Sequence, residues 1–284
     1  MIELHDIRYV RLGTANFAQS CAFAGTILGL NSAGCDGKVA YFKSDSRDYT
    51  LCYADGDERQ SAIGFEIKDP AALEAAAEAV EEAGFPMRRG TAAEAEMRRV
   101  KDFFVTADPS GNAIEIVSRP FDSGIRYHGT RDAGVTGFNH IGLKSNKLKD
   151  DERFWTKLFN ARVSDWIGDA ALMRISTIHH SIALFPAPGV GIQHVNHQVA
   201  TFDDVMRNWY FLQNRQVRVV FGPGRHATSG AMFLYFEGPD GIVYEYSCGV
   251  NRIDEANWRP RQFPFTPESF CVWGSRPDIP EFRK

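Results

Sequence analysis

The chain has no apolar run long enough to span a bilayer, and its first residues, MIELHDIRYVRLG, lack the apolar stretch of an export signal. The expectation is a soluble, cytoplasmic protein without a membrane partner. Cysteine is scarce: Cys21, Cys35, Cys52, Cys248 and Cys271 form an odd set of five with no C-x-x-C pair. That argues against a disulfide framework and against a structural zinc site. Net charge is also small, at −4, so no basic excess draws the chain to nucleic acid or an anionic membrane. What is present is ordinary globular material, 44% apolar and 24% charged over 284 residues, enough for two domains with ample cores.

Internal similarity organises the rest. IRYVRLGTANFAQSCAFAGTILGL (7–30) and FNHIGLKSNKLKDDERFWTKLFNA (138–161) share an alternating strand, a polar turn and an amphipathic helix. FEIKDPAALEAAAEAVEEAGF (65–85) pairs in the same way with HQVATFDDVMRNWYFLQNRQV (197–217), with Asp69 as N-cap, Pro70 at the first helical position and Gly84 after the last. DPSGNAIEIVS (108–118) matches GPDGIVYEYSC (238–248), which aligns Glu115 with Glu245. Two tandem copies follow, each a mixed sheet with helices on one face, an α+β arrangement. The expected limits are 1–120 for the first copy, 121–136 for a linker, 137–249 for the second copy and 250–284 for an aperiodic, extended tail. Twist curls such a sheet, so strand residues from distant segments converge on its concave face.

The copies diverge where chemistry would show. His140 aligns with Tyr9, and His194 with Ala62; only Glu245 keeps its counterpart. Of eight histidines, six lie between 140 and 226. A lone strand histidine is commonly a hydrogen-bonded core residue, and a strand carboxylate costs free energy when buried without a positive partner. Two imidazoles and one carboxylate on three strands would share such a partner, a divalent metal. His140, His194 and Glu245 are the candidate ligands, in the facial arrangement associated with mononuclear iron(II); zinc and manganese also accept this donor set. His197 projects to the face opposite His194 and is not expected to bind. His179 and His180 sit on another candidate strand, where only one can face the cup; the His180 side should be shared by Ile182 and Leu184. His180 is equally readable as an exposed residue, and Arg225 as a solvated loop cation.

The second copy resembles the type I extradiol ring-cleaving dioxygenases of the vicinal oxygen chelate superfamily. The likeness rests on Gly224-Arg225-His226, seven residues, Leu234-Tyr235, then Pro239, Gly241 and Glu245, together with the degenerate first copy. Gly238 departs from the pattern, at a turn position usually acidic. The resemblance implies tandem βαβββ modules in two cups, the first metal-free, and Fe(II) on His140, His194 and Glu245, with Mn(II) compatible. It implies His180 as the acid–base residue, and His226 and Tyr235 as groups that hydrogen-bond to the bound diol and its oxygenated products. The implied reaction inserts both atoms of O2 into a catechol-type diol and opens the ring beside it, in a homo-oligomer. A zinc- or nickel-dependent isomerase of the glyoxalase type, or a metal-free small-molecule binder, are the rival readings. The first is disfavoured by Tyr9 and Ala62, the second by retention of the full set in the second copy.

Overall fold

The computed structural model describes residues 1–57 and 60–283. Four similar strand–helix–strand units follow one another. The first comprises β1 (Leu4–Thr14), α1 (Phe17–Thr26), β2 (Asn31–Cys35), β3 (Val39–Lys43) and β4 (Leu51–Asp55). The second comprises β5 (Ala62–Ile67), α2 (Pro70–Glu82), β6 (Met87–Arg89), a further helix α3 (Ala92–Arg98), β7 (Val100–Ala107) and β8 (Ala113–Pro120). The third runs β9 (Val135–Ser145), α4 (Leu148–Arg153), β10 (Arg162–Ile167), β11 (Ala170–Arg174) and β12 (Ile182–Pro186). The fourth runs β13 (Gly191–Val199), α5 (Phe202–Asn214), β14 (Val219–Arg225), β15 (Met232–Glu237) and β16 (Val243–Cys248). A short strand β17 (Arg261–Phe263), a helical turn α6 (Pro267–Phe270) and a 3-10 turn (Pro280–Phe282) follow. Each sheet thus joins two βαβββ units, in the orders β2-β3-β4-β1-β5-β8-β7-β6 and β14-β15-β16-β13-β9-β12-β11-β10-β17.

The helices begin where the side chains can satisfy their free N–H groups. Asp69 accepts from the Ala72 amide at 2.9 Å with Pro70 at the first position, and Gly84 follows the helix at φ +78°. Thr201 and Asp204 close a reciprocal capping box on α5, as Thr91 and Glu94 do on α3. The second-copy helix near 150 is shorter than its periodicity suggests: α4 stops at Arg153 and gives way to a π-helical turn, Phe154–Leu158, that buries Phe154 and Trp155.

Strand alternation divides the side chains between a shared outer core and an inner cluster in each sheet. On β16, Tyr244 and Tyr246 join the large core that both sheets share with the helices, with Val10, Ile63, Ile141, Leu143 and Val195. The opposite face of the second sheet forms a separate cluster of Leu172, Ala183, Phe185, Phe221, Phe233 and Tyr235. The tail is not merely extended. It adds β17 to the sheet edge beside β10 and sends Phe270, Ile279 and Phe282 into that inner cluster. Among the described residues no helix is long and apolar enough to cross a membrane.

Candidate metal centre

β9, β13 and β16 are neighbours in the middle of the second sheet, and each contributes one of the three candidate ligands. His140 and Glu245 stand on either side of β13, both registered against Asn196, while His194 is registered against Gly142. The His194 ring lies so close to Gly142 that a Cβ there would sit 2.3 Å from Nδ1; only glycine leaves room. The ligand atoms of His140, His194 and Glu245 all fall within 4.8 Å of one another. The two Nε2 atoms are 3.0 Å apart, and Glu245 Oε2 is 3.0 Å from that of His140 and 3.5 Å from that of His194.

This arrangement is costly without a cation. Glu245 is 1% exposed, and neither carboxylate oxygen has a hydrogen-bond partner of sound geometry. Burial alone would push its carboxyl up, but the imidazoles of His140, His226 and His194 more than offset this and hold it well below the usual carboxylate range. Burial pushes His194 down to about 3, so its ring is neutral and offers a lone pair. Its Nδ1 is committed to Gln193 Oε1, an acceptor only, which leaves Nε2 as the bare nitrogen. An ionised, buried carboxylate facing the Nε2 atoms of two buried imidazoles fits a divalent metal held by three protein atoms, with coordination positions left for ligands.

His226 follows the end of β14 and returns toward this point. Its Nδ1 donates to the Phe270 carbonyl at 2.9 Å, which turns Nε2 to the Tyr235 hydroxyl at 3.3 Å and to Glu245 Oε1 at 3.4 Å. The ring is stacked on Phe233 at 3.9 Å. Burial, and Glu245 beside it, raise the Tyr235 hydroxyl well above its ordinary range, which keeps it a donor. His180 packs its ring 4.2 Å from that of His140. All six residues expected from sequence therefore converge on one cup. A cleft of about 520 Å³ lies at the strand ends beside Gln193, bordered by Val220, Val243, Ile279 and Glu281.

One expectation is corrected. His179 and His180 are not on a strand, because β12 starts only at Ile182. In the irregular segment before it, alternation does not apply: both rings are buried and their Nδ1 atoms lie 3.0 Å apart. Ile182 and Leu184, expected beside His180, instead join the outer core, while Ala183 and Phe185 face inward. His197 does project away from the cup, toward Phe138. Arg225 is exposed, with Nε on the Gly230 carbonyl. Sequence reasoning missed Asp165, which is fully buried and bonded to His179, and missed the tail residues in the cup. An acidic residue within the apolar strand segment RVSDWI was a readable signal; the tail offered none.

Residues 137–246 match the model of the glyoxalase/bleomycin resistance protein/dioxygenase superfamily. An iron-dependent extradiol dioxygenase of Rhodococcus jostii is 24% identical over 295 residues, covering 96% of this chain and 97% of its own. Among solved structures, a halotolerant catechol dioxygenase superposes with a TM-score of 0.89 at 23% identity, over 100% of this chain and 98% of that one. A Mn(II)-bound glyoxalase from Novosphingobium aromaticivorans gives a TM-score of 0.89 at 25% identity, over 100% and 95% of the two chains.

Proposed function

We propose, from the premise that residues 137–246 belong to the glyoxalase/bleomycin resistance protein/dioxygenase superfamily, that this chain is a metal-dependent extradiol dioxygenase. Its substrate is a catechol-type vicinal diol, and its second substrate is O2. The observation that carries this reading is the buried Glu245 carboxylate converging with the Nε2 atoms of two buried imidazoles, all within 4.8 Å of one another. Fe(II) is the metal that suits both this donor set and oxygen chemistry, with Mn(II) compatible. When bound, the metal supplies Lewis acidity toward the diol and a site for O2.

The chain's own residues do the rest. His180 takes and returns the diol proton, since a neutral, buried imidazole beside the ligand His140 is placed to accept it. Tyr235 donates its hydroxyl hydrogen to an oxygen of the substrate, and His226 accepts or donates at Nε2 within reach of the same point. Phe185, Phe221, Phe233, Phe270 and Phe282 line the inner cluster and exclude water, which favours an uncharged aromatic diol. The likeness to a Mn(II)-bound glyoxalase supports a second reading, an isomerase on the same metal site.

Anaerobic loading with Fe(II), followed by oxygen uptake against a panel of catechols, tests the proposal. Stoichiometric uptake with a yellow ring-fission product is expected, and His180→Gln should lower turnover by ~10²–10⁴-fold while metal content stays unchanged. Absence of uptake with every diol, together with isomerisation of a glutathione hemithioacetal, would establish the second reading instead.

A further inference from the structure

We propose that His179 and Asp165 are positioning residues that set the tautomer of His180, and so determine which of its nitrogens acts as the base. The proposal rests on the reading of His180 as the acid–base residue. Asp165 is completely buried on β10, yet it is richly satisfied. Oδ1 accepts from the Arg261 backbone N–H at 2.9 Å and from its Nε at 3.0 Å; Oδ2 accepts from Arg261 Nη2 at 2.6 Å and faces His179 Nε2 at 2.9 Å. Burial would raise this carboxyl, but the bonds from His179 and Arg261 hold it below the usual range, so it is an acceptor only.

The consequences run along the chain of bonds. His179 must carry its proton on Nε2, where the carboxylate accepts it. Burial keeps the His179 ring below the ordinary histidine range and therefore neutral, which leaves its Nδ1 bare. That atom lies 3.0 Å from His180 Nδ1, and a bond there needs one hydrogen. Only His180 can supply it. Its Nδ1 is thus the donor, and Nε2 is left with the lone pair that accepts a substrate proton.

The tail explains why the relay holds still. β17 pairs in parallel with β10, with Arg261 opposite Asp165. Trp258 meets the His179 ring edge-on at 5.8 Å and stacks under the Arg261 guanidinium at 4.8 Å. The His179 backbone N–H donates to the Asn251 carbonyl at 3.0 Å. A segment without periodicity in the sequence therefore supplies the wall behind the base.

Asp165→Asn tests this. Two Arg261 donors keep the amide oxygen at the Oδ1 place, so its NH2 faces His179 Nε2 and donates to it. The His179 proton then moves to Nδ1, and that of His180 to Nε2. Long-range ¹H–¹⁵N spectra of the full chain, metal-free and with Zn(II), read both tautomers directly, with the His180 signals assigned by their loss in His180→Gln. Wild type should show His180 protonated at Nδ1, and Asp165→Asn should show it protonated at Nε2. In the iron-loaded variant kcat should fall ~10²-fold, with metal content and KM within about twofold of wild type. A wild-type His180 protonated at Nε2 overturns the proposal even if the variant does not fold; so does a variant that keeps the wild-type tautomer, or one that changes it without losing turnover. Oxygen uptake by the wild type decides the functional reading separately, since the tautomers are read without any turnover.

Discussion

Glu115 on β8 and Glu245 on β16 occupy equivalent positions, opposite Gly64 and Asn196, and each is 1% exposed. Their surroundings differ. Glu115 accepts from the Tyr9 hydroxyl at 2.7 Å and pairs with Arg98 at 2.6 Å. Tyr9 is the counterpart of His140, and Arg98 is delivered by α3, the helix between β6 and β7. Between the corresponding strands β14 and β15 the second cup has only a loop, which carries His226. Where Gly142 makes room for His194, the first cup has Arg11 opposite Ala62. Both cups keep an inward carboxylate on a buried strand, but the first neutralises it with a guanidinium from its own chain. The second leaves it facing two imidazoles. The carboxylate alone says nothing about a metal; what surrounds it decides.

The sharpest break would come from charge removal in each cup. Arg98→Ala leaves Glu115 buried and unpaired, and should cost ~3–5 kcal/mol in a urea titration. Glu245→Gln should abolish metal binding and cost the metal-free chain ~1–3 kcal/mol less than Arg98→Ala does, because it removes the buried charge itself instead of stranding one. Equal losses in the two variants would show that Glu245 is satisfied within the protein after all.

Much of this contrast was legible in the residues. Strand alternation and the repeated segments located His140, His194 and Glu245, because β9, β13 and β16 obey a period of two and pair as neighbours. The irregular turn at His179-His180 was misread for the opposite reason, since a periodicity rule was applied where no ladder exists. Thr91-Ala-Ala-Glu94 announces the helix that fills the first cup, as a capping box does, but its delivery of Arg98 to Glu115 depends on a tertiary contact. The tail's Phe270, Ile279 and Phe282 reach the second cup through long-range packing that no local pattern encodes.

A smaller effect is expected on the outer face, where His197 corresponds to Phe65 on β5. His197 is fully buried, and neither ring nitrogen has a partner among the described residues. Burial pushes it down to about 4; Asp45 raises it somewhat and Arg47 opposes that. The unfolded chain takes up this proton below about 6.5, while the folded chain resists until about 4. Stability therefore falls as pH drops through that window, by about 3 kcal/mol from this group alone. His179, His180 and His194 are also depressed and add slopes of the same sign. His197→Phe should flatten the metal-free stability curve between pH 6.5 and 4 by its own share, measured by urea midpoints, and leave the plateau above pH 7 within ~1 kcal/mol. An unchanged slope would mean that His197 is protonated, or solvated, in the folded chain.

The finest test asks whether the ligands suffice. Tyr9→His with Ala62→His would place two imidazoles beside Glu115, at the registers His140 and His194 hold in the second cup. Arg98 remains 2.6 Å from that carboxylate. A divalent ion would have to displace a guanidinium already bonded there, so the double variant should bind no more metal per chain than wild type by elemental analysis. Arg98→Ala added to the two changes should admit a second ion, because it removes the cation bonded to Glu115 and leaves the same donor set. If instead the double variant alone takes up a second equivalent, Arg98 is not what separates the two cups, and the difference must be traced to Tyr9 and Ala62 themselves.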